Sequence, residues 1–544
     1  MISPRKLLLV ALLSFAAAGV SAANDIYLAQ NAQGANNGAD CADAFSYNFF
    51  NNSGNWGGGG NQIGPGSTVH LCGTFNGTPG QQLLVFQGSG TSGNPITLHF
   101  EDGVLLSAPY WSSQGAINTS GSTWVTIDGG TSGTIQNYAD GVSGETCYDG
   151  NSCQYQQDSR MVYITGCTTC NVEVKNLTLR QGWQRNSGDS DSNGQGVEGI
   201  YFVGNHSNIT IDHNTCTQFR TCIDGWGSNI TVSFNELSNM NWGYSFGSNV
   251  PTSTLLIHDN IIHDFQMWDG SGAFHHDGVF LFPNTGTGNI SGLQEYNNFF
   301  GPNRATGNTA YSNWEGTLTA PQFFNNVCLQ PTTDRMPCLE AGNNGGQNST
   351  NSGLIVANNT AVMGCTAGNC DGNYAFGPQP GYLNMTFQNN IAVQGTSLTY
   401  MGSNDVFTTV DYNMYEDVCS DNGACGGMFT YRSMSTNSFT TWKAALPQNS
   451  GQDGHSVFDT LANLGISTTT GQLQTGSPGI AAGVNLTSLG IAALNCDKPL
   501  VVGPSGTGAC NPRPATGSWD IGAYQFGSGG TPPAPPTGLT AIVK

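Results

Sequence analysis

Several acidic residues of this chain stand just before a glycine and a strand-like segment, a spacing suited to acid–base chemistry. The pattern occurs at Glu198-Gly199, Asp224-Gly225, Asp277-Gly278 and Glu315-Gly316. In one repeat Trp242-Gly243 stands where the others have an acid and a glycine. If the strands stack about 4.8 Å apart, Asp224 lies about 5 Å from Glu198 and about 10 Å from Asp277. Carboxylates about 5–5.5 Å apart suit retaining glycosidases, and those about 6.5–9.5 Å apart suit inverting ones. We therefore predict catalytic carboxylates at Glu198, Asp224 and Asp277; the alternative is that the acid–Gly pairs are only turn chemistry.

Histidine and tryptophan residues concentrate in the same part of the chain. His276 directly precedes Asp277, and an imidazole beside a carboxylate is suited to general acid–base catalysis. Long connections before Glu198 and Asp277, and a short one before Asp224, predict a groove, although any single aromatic residue here could instead serve packing. The residues predicted to bind substrate in this groove are Trp183, Arg185, Arg220, Trp226, Trp242, Trp268, His275, Trp314 and Glu315.

An aspartate-rich segment ahead of the first of these acids begins like an oxygen-rich calcium loop. Asp189, Asp191 and Asn193 place side-chain oxygens at alternate positions, and a glycine follows them. The glutamate that an EF-hand carries at its twelfth position is missing, because Ile200 stands there, although Glu198 at the tenth could substitute. We predict that the first three residues bind Ca²⁺; the alternative is a solvated acidic loop.

A short strand-like segment ending in asparagine recurs along the middle of the chain, at intervals of 21 to 38 residues. Such a period is typical of a solenoid whose turns contribute short strands and carry inserted loops. The asparagines are Asn176, Asn214, Asn235, Asn260, Asn298, Asn326, Asn359, Asn390 and Asn413. We predict that they stack in a column at a tight bend, where their side chains hydrogen-bond from coil to coil.

These asparagine-ended strands resemble the right-handed parallel β-helix repeats of the pectin-lyase-like superfamily. SGNPITLHFEDGVLLSAP with WVTIDGG resembles the first coils of such proteins, and SPGI at 477–480 with DIGAY at 520–524 resembles the closing segment of secreted bacterial members. The resemblance extends over residues 24–526. It implies an all-β fold, a single-stranded right-handed parallel β-helix with N- and C-terminal capping segments.

The same resemblance implies a secreted carbohydrate-active enzyme that cleaves a polysaccharide bound in a groove along the β-helix. Polygalacturonase-type hydrolases share an acid–Gly pair before a strand, but their Gly-His-Gly and Arg-Ile-Lys motifs have no counterpart here. Lyases of this superfamily typically use lysine or arginine as base, and Lys and Arg together are only 14 of 544 residues. Hydrolysis is therefore slightly favoured over elimination. The alternative from another class is a non-catalytic extracellular β-helix that binds glycans or has a structural or adhesive role.

The composition and net charge of the chain limit where the protein can be located and which partners it can bind. Charged residues are 9% of the chain, while a hydrophobic fraction of 38% still supplies a core. Arg5 and Lys6 before an apolar run predict a secretory signal peptide over residues 1–22, followed by a β-helix domain over 23–526 and a Gly/Pro-rich disordered tail over 527–544. The formal net charge is −21 at pH 7. We therefore expect a secreted or periplasmic monomer with a polysaccharide partner, no nucleic acid and no membrane span.

Sixteen cysteines in an exported chain predict disulfides rather than free thiols. They fall into successive near neighbours: Cys41 and Cys72, Cys147 and Cys153, Cys167 and Cys170, Cys216 and Cys222, Cys328 and Cys338, Cys365 and Cys370, Cys419 and Cys425, and Cys496 and Cys510. Pairing within each couple is the simplest arrangement, although sequence alone does not prove connectivity. For Cys167-Thr-Thr-Cys170 the alternative is half of a zinc site, but the sequence shows no second cysteine pair or histidine pair that would supply the other ligands.

The calcium prediction is tested by chelation. If Ca²⁺ holds the aspartate-rich segment, a chelator lowers the melting temperature of the wild-type protein, and Asp189→Ala combined with Asp191→Ala abolishes that sensitivity. Thermal unfolding followed by circular dichroism, with and without chelator, makes the measurement. A wild-type protein that does not respond to chelation would leave the segment as a solvated turn.

Overall fold

The chain winds into coils of three short strands, and almost every strand is hydrogen-bonded in parallel to its equivalents in the neighbouring coils. The structure is a computed structural model and describes residues 24–57, 59–139, 157–182, 196–265, 276–282, 288–301, 310–330, 337–342, 351–365, 374–378, 382–398, 406–422 and 427–527. The coils build three columns of strands, which we call sheets 1, 2 and 3 in the order in which the chain enters them. The predicted fold class, a single-stranded right-handed parallel β-helix, is confirmed.

Three long strands bend from one sheet into the next, and the other strands belong to a single sheet. The long strands are Val197–Asp212 (sheets 3 and 1), Thr215–Ser233 (sheets 2, 3 and 1) and Glu236–Phe246 (sheets 2 and 3). Sheet 1 also contains Asp25–Ala29, Phe45–Ser46, Thr68–Leu71, Ile96–Phe100, Val125–Asp128, Thr169–Lys175, Thr252–His258, Asn289–Tyr296, Thr317–Thr319, Gln322–Phe324, Asn351–Ser352, Ile355–Ala357, Tyr382–Leu383, Met385–Gln388 and Phe407–Asp411. Sheet 2 also contains Thr74–Asn76, Leu105–Ala108, Thr134–Asn137, Thr178–Arg180, Ile261–His263, Phe299–Phe300, Val327–Leu329, Thr360–Val362, Ile391–Val393, Met414–Glu416 and Val457–Asp459. Sheet 3 also contains Leu84–Val85, Ile117–Asn118, Ser159–Tyr163, Asp277–Leu281, Ser312–Trp314, Leu339–Ala341, Tyr374–Pro378, Thr396–Leu398, Phe429–Tyr431 and the antiparallel Met434–Thr436.

The helices of the described residues are short and belong to none of the three sheets. The α-helices are Asn48–Asn51, Val418–Asn422, Phe439–Ala445 and Leu461–Leu464, and the 3₁₀ helices are Cys41–Asp43, Ser53–Asn55, Thr487–Leu489, Ala492–Asn495 and Gly503–Ser505. None of these helices is long and apolar enough to cross a membrane.

The core is a stack of aliphatic side chains that point into the coil. Side chains alternate between the two faces of a strand, so every second residue of each short strand faces the interior. In sheet 1, for example, Val174, Ile211, Val232 and Ile257 lie in register on successive coils and are all fully buried. A coil cannot bury these residues alone, so each coil depends on its neighbours.

The asparagine column is a buried hydrogen-bonded ladder at the bend between sheets 1 and 2. The side-chain amide of Asn260 donates to the side-chain oxygen of Asn298 at 3.0 Å, and Asn298 donates to Asn326 at 3.1 Å. The same oxygens also accept the backbone N–H of the preceding asparagine, and each amide donates in addition to a backbone carbonyl. The ladder runs through Asn214, Asn235, Asn260, Asn298, Asn326, Asn359, Asn390 and Asn413.

Asn176 is not a rung of this ladder, and the prediction for it was wrong by one residue. The side-chain oxygen of Asn214 accepts the N–H of Leu177, which therefore occupies the rung position in its coil. Asn176 stands one position earlier, where the backbone is left-handed (φ 57°). Asparagine tolerates that conformation better than most residues, which explains its presence at the bend.

The residue before each rung binds the C-terminal segment where that segment covers the coils. Asn325, Asn358 and Asn389 have left-handed backbones and stand just before rungs of the ladder. Their amides donate to the carbonyls of Cys496, Gly522 and Val484 at 2.9, 3.0 and 2.8 Å. The predicted closing segment 520–524 therefore lies along the outside of the coils instead of adding a further coil.

The disulfide prediction is confirmed for five couples. Bridges join Cys41–Cys72, Cys167–Cys170, Cys216–Cys222, Cys328–Cys338 and Cys496–Cys510. Cys365 and Cys419 are also disulfide-bonded. Cys147, Cys153, Cys370 and Cys425 lie outside the described residues, as do the predicted signal peptide and residues 528–544.

Removal of one rung tests the ladder. Asn298→Ala leaves the N–H and the side-chain amide of Asn260 without their acceptor, and each unsatisfied buried group costs about 1–3 kcal/mol. We expect the free energy of unfolding in urea to fall by about 2–4 kcal/mol. Asn205→Ala, at an exposed position, should change it by less than about 0.5 kcal/mol. Equal effects of the two variants would contradict a structural role for the ladder.

Candidate functional site

The outer face of sheet 3 carries two parallel rows of polar and aromatic side chains. The first row consists of Arg160, Glu198, Thr221, Trp242 and Asp277, which are in register on successive coils. The second row lies three residues further along each strand and consists of Tyr163, Tyr201, Asp224, Ser245, Phe280, Asn313 and Glu340. The guanidinium of Arg160 lies 3.8 Å from the centre of the Tyr201 ring, so the two rows meet on one face.

The acidic residues do not form the single column that the acid–Gly pattern predicted. Asp224 is in register with Tyr201, three residues beyond Glu198, and not with Glu198 itself. The interior sets this register: Ile200 pairs with Ile223, and the ring of Phe202 covers Gly225 so closely that a Cβ there would lie 2.5 Å from it. Packing of the core has decided which outward residues are neighbours.

Glu198 is a buried carboxylate held by an arginine. It is 3% exposed, and its Oε2 lies 2.9 Å from Nε of Arg160, whose guanidinium also donates to the carbonyl of Ser113. Burial raises the pKa of Glu198 above its usual value, while the positive charge of Arg160 lowers it and the negative charge of Asp224 raises it further. Glu198 and Asp224 are therefore close enough to influence each other's ionisation.

The side chain of Asp224 is partly exposed on the outer face of sheet 3. Burial raises its pKa above the usual value, whereas the charge of Arg220 and a hydrogen bond from Ser245 lower it. The charge of Arg220 also lowers the pKa of Glu198. Two carboxyl groups with raised pKa values thus share one site with two guanidinium groups, an arrangement that can both donate and accept protons.

Aromatic rings form the surface around these charges. The guanidinium of Arg220 lies 5.0 Å from the centre of the Trp242 ring, and the Trp242 and Phe280 rings are nearly parallel with centres 6.1 Å apart. Burial raises the pKa of Tyr201 to about 12, so its hydroxyl remains protonated. The predicted binding residues Arg220 and Trp242 therefore do lie beside Asp224.

Asp277 belongs to a different cluster, which corrects the predicted pairing with Asp224. Two strand spacings and three residues along the strand separate the two backbones by about 14 Å. Asp277 is fully buried and accepts the N–H of Ala310 at 3.0 Å. Burial raises its pKa well above the usual value, and the charges of Glu340 and Glu315 raise it further. The neighbouring His276 is 1% exposed, so both residues are covered although Asp277 stands in the first row of the outer face.

Trp314 lies inside the β-helix, which corrects its assignment to substrate binding. The side chain is fully buried, and its Nε1–H donates to Oε2 of Glu295 at 2.9 Å. Glu295 takes an interior position in sheet 1 between Ile257 and Phe323, and Ser312 donates to the same oxygen at 2.8 Å. Strand alternation places Trp314 on the inner face, a feature that the tryptophan count could not reveal.

The remaining predicted residues have mixed outcomes. Trp226 is partly buried and packs against the core, and Glu315 is partly exposed near Asp277. Trp183, Arg185, Asp189, Asp191, Asn193, Trp268 and His275 lie outside the described residues. The calcium loop therefore remains a prediction.

The sequence-based prediction missed Arg160, Tyr163 and Tyr201. A signal was present, because Arg160-Met-Val-Tyr163 and Glu198-Gly-Ile-Tyr201 have the same spacing of three and an aliphatic residue at the same place. Aligning strands by their inward aliphatic residue, instead of by glycine, would have placed all three on the same face as Asp224.

Comparison with known proteins gives only distant similarities. No protein-family model and no curated protein sequence matches the chain. The crystal structure of pectate lyase Pel9A is 15% identical with a TM-score of 0.42, over 93% of this chain and 98% of that one. The GH136 lacto-N-biosidase from Eubacterium ramulus is 12% identical (TM-score 0.40; 72% of this chain, 63% of that one), and the PL6 family alginate lyase AlyGC is 15% identical (TM-score 0.32; 68% and 44%). Similarity this low says nothing about the reaction.

Glu295 makes stability depend on pH. Burial raises the pKa of Glu295 to about 8 in the folded protein, so the folded state keeps a proton that the unfolded state releases above about pH 4.5. The wild-type protein should therefore lose stability, relative to Glu295→Gln, as the pH rises from about 4.5 to about 8. Urea unfolding of both proteins across this range measures the difference. A gap between the two that does not change with pH would contradict a protonated Glu295.

Proposed function

We propose that this protein is a polysaccharide-cleaving enzyme, a glycoside hydrolase, whose acid–base pair is Glu198 and Asp224 on the outer face of sheet 3. The observation that carries the proposal is the pairing itself. Burial raises the pKa of both carboxyl groups beside Arg160 and Arg220, and the charge of Asp224 raises the pKa of Glu198 further.

The chemistry requires one of the two carboxyl groups to be protonated while the other is ionised. Burial, and for Glu198 also the charge of Asp224, disfavours ionisation, so a proton is retained above the pH at which an exposed carboxyl group loses it. The protonated member then donates to the leaving glycosidic oxygen, and the ionised member activates water or attacks the anomeric carbon. Arg160 beside Glu198 stabilises the ionised form during this exchange.

The rings of Tyr201 and Trp242 supply the surface on which sugar rings would stack. Both are partly exposed; Tyr201 is in register with Asp224 on the preceding coil, and Trp242 is in register with Thr221 on the following coil. Arg220, held over Trp242, presents donors to sugar hydroxyl groups or to an acidic sugar. A polysaccharide lying along the β-helix axis would meet a new coil about every 4.8 Å.

A second candidate reaction, β-elimination from a uronic acid, is favoured by the two arginines. Two guanidinium groups on a chain of net charge −21 could bind a uronate carboxylate and stabilise the carbanion-like transition state. Asp224 would accept the proton from the carbon next to the carboxylate, and Tyr201, with its raised pKa, would remain protonated and donate to the leaving oxygen. A glycan-binding protein without catalytic activity would use the same face without turnover.

A panel of neutral and acidic polysaccharides separates the three possibilities. New reducing ends without ultraviolet absorbance of an unsaturated uronate support hydrolysis. Reducing ends together with that absorbance support elimination. Binding to a polysaccharide with neither product supports the non-catalytic alternative and contradicts the proposed enzyme.

Substitution of the pair tests which residues act. Glu198→Gln and Asp224→Asn should each lower kcat at least about 10²-fold on the substrate found, the usual contribution of a general acid or base. Gln can still accept from Arg160, so the melting temperature should change little. Asp277→Asn tests the alternative pair and should lower kcat much less. Glu173→Gln, on the outer face of sheet 1, is the matched surface control.

Two outcomes would contradict this assignment. Folded Glu198→Gln and Asp224→Asn proteins with near-native kcat would remove the pair from the mechanism. A loss of kcat in Asp277→Asn that equals the loss in Asp224→Asn, at an unchanged melting temperature, would restore the pairing predicted from sequence.

A further inference from the structure

Three metal-ligating side chains meet at the turn that leads from sheet 3 into sheet 1. They are Cys167, Cys170 and His206, whose ligand atoms all lie within 4.8 Å of one another. The cysteines form a disulfide, and Nδ1 of His206 lies 3.6 Å from Sγ of Cys170. Cys170 is fully buried, and Cys167 and His206 are each 7% exposed. The histidine that the Cys-Thr-Thr-Cys motif lacked in the sequence is therefore supplied by the next coil.

Local backbone irregularities on both coils bring these residues together. Phe202 pairs with Gly225 and His206 with Gly227, so the His206 strand carries two more residues than its neighbour at this point. A second register shift lies between Thr169 and Val172, at Cys170 itself. β-Bulges re-aim side chains and are frequent beside functional sites.

Gly204 completes the arrangement at the bulge. Its φ of 154° and its missing side chain are both needed, because a Cβ there would lie 2.7 Å from Nε2 of His206. Within the described residues, Nε2 has no hydrogen-bond partner, whereas Nδ1 donates to the carbonyl of Cys167. When Nδ1 binds another group, the ring proton can therefore move to Nε2. The hydrogen bond from Nδ1 to Cys167 is then lost, but no hydrogen bond at Nε2 is broken.

Cys167 keeps 7% exposure, and the residues around it reach solvent. Gly166, Thr168 and Thr169 are exposed and flank Cys167. By contrast, all four cysteines of the Cys216–Cys222 and Cys328–Cys338 bridges are at most 1% exposed.

We propose that reduction of the Cys167–Cys170 disulfide by a dithiol converts this turn into a zinc site with Cys167, Cys170 and His206 as ligands. The dithiol transfers two electrons and two protons to the disulfide and becomes a cyclic disulfide itself. Zn²⁺ then replaces the two thiol protons, which leave to solvent. The two thiolates, Nδ1 of His206 and one water complete a tetrahedron.

The ligand set selects the metal class. Thiolate and imidazole suit Zn²⁺, with Zn–S distances of about 2.3 Å and Zn–N of about 2.0–2.1 Å, and do not suit Ca²⁺. The three ligand atoms lie within 4.8 Å of one another, so metal binding requires the sulfur atoms to separate and His206 to give up its hydrogen bond to the carbonyl of Cys167. This site is independent of the predicted calcium loop and of the proposed acid–base pair.

Cobalt(II) is the probe, because a tetrahedral thiolate site gives it strong visible absorption. The full-length protein is treated with increasing amounts of a dithiol, and alkylation with peptide mapping identifies the stage at which Cys167 and Cys170 are free thiols. Circular dichroism confirms that the β-structure persists at that stage. Reduced wild-type protein should then bind one equivalent of Co²⁺ with tetrahedral bands and lose them when Zn²⁺ is added, while the oxidised protein shows none.

Matched variants identify the ligands. His206→Gln and the pair Cys167→Ser with Cys170→Ser should abolish the tetrahedral bands, whereas Cys41→Ser with Cys72→Ser, which removes a different bridge, should retain them. Bands that persist in His206→Gln and in the Cys167/Cys170 variant would overturn the proposal. So would the absence of bands in reduced wild-type protein, or loss of the β-structure as soon as this disulfide opens.

Discussion

The asparagine ladder at the bend between sheets 1 and 2 is the interaction on which the coil-to-coil register depends. Each rung gives its amide hydrogens to the coils on either side and accepts two from the preceding asparagine. Because the rungs are buried, a slip of one residue would leave several donors and acceptors without partners, at about 1–3 kcal/mol each. The ladder therefore holds eight coils in one register and leaves insertions to the turns.

The register transmits that constraint to the outer face of sheet 3. Once Ile200 and Ile223 are matched in the interior, the outward neighbours of the strands are decided as well. Asp224 comes to lie beside Tyr201, and Glu198 is left to pair with Arg160. The candidate site is thus a consequence of core packing, although none of its side chains belongs to the core.

Buried carboxyl groups serve different purposes on the two faces of the same coils. Glu295 is enclosed with Ser312 and Trp314 in the interior, and burial raises its pKa to about 8. Glu198 is buried at the outer face, where Arg160 opposes the effect of burial and favours the charged form. The same desolvation gives a protonated structural group in one place and a group that can exchange its proton in the other.

The solenoid of short strands could be predicted from the linear sequence because the asparagine-ended strands recur at a solenoid period, and the disulfides because the cysteines fall into close couples. Those features depend on neighbours along the chain or on the same position in successive coils, which a linear pattern records. The sequence did not predict the two rows of sheet 3, because alignment by glycine placed Asp224 level with Glu198. It also led to the buried Trp314 being assigned to the groove. Those contacts depend on which face each strand turns inward and on how many residues each bend contains. Only the packed coils decided them, because inward packing of Ile200, Ile223, Phe202 and Gly225 sets the register that the outward residues must follow.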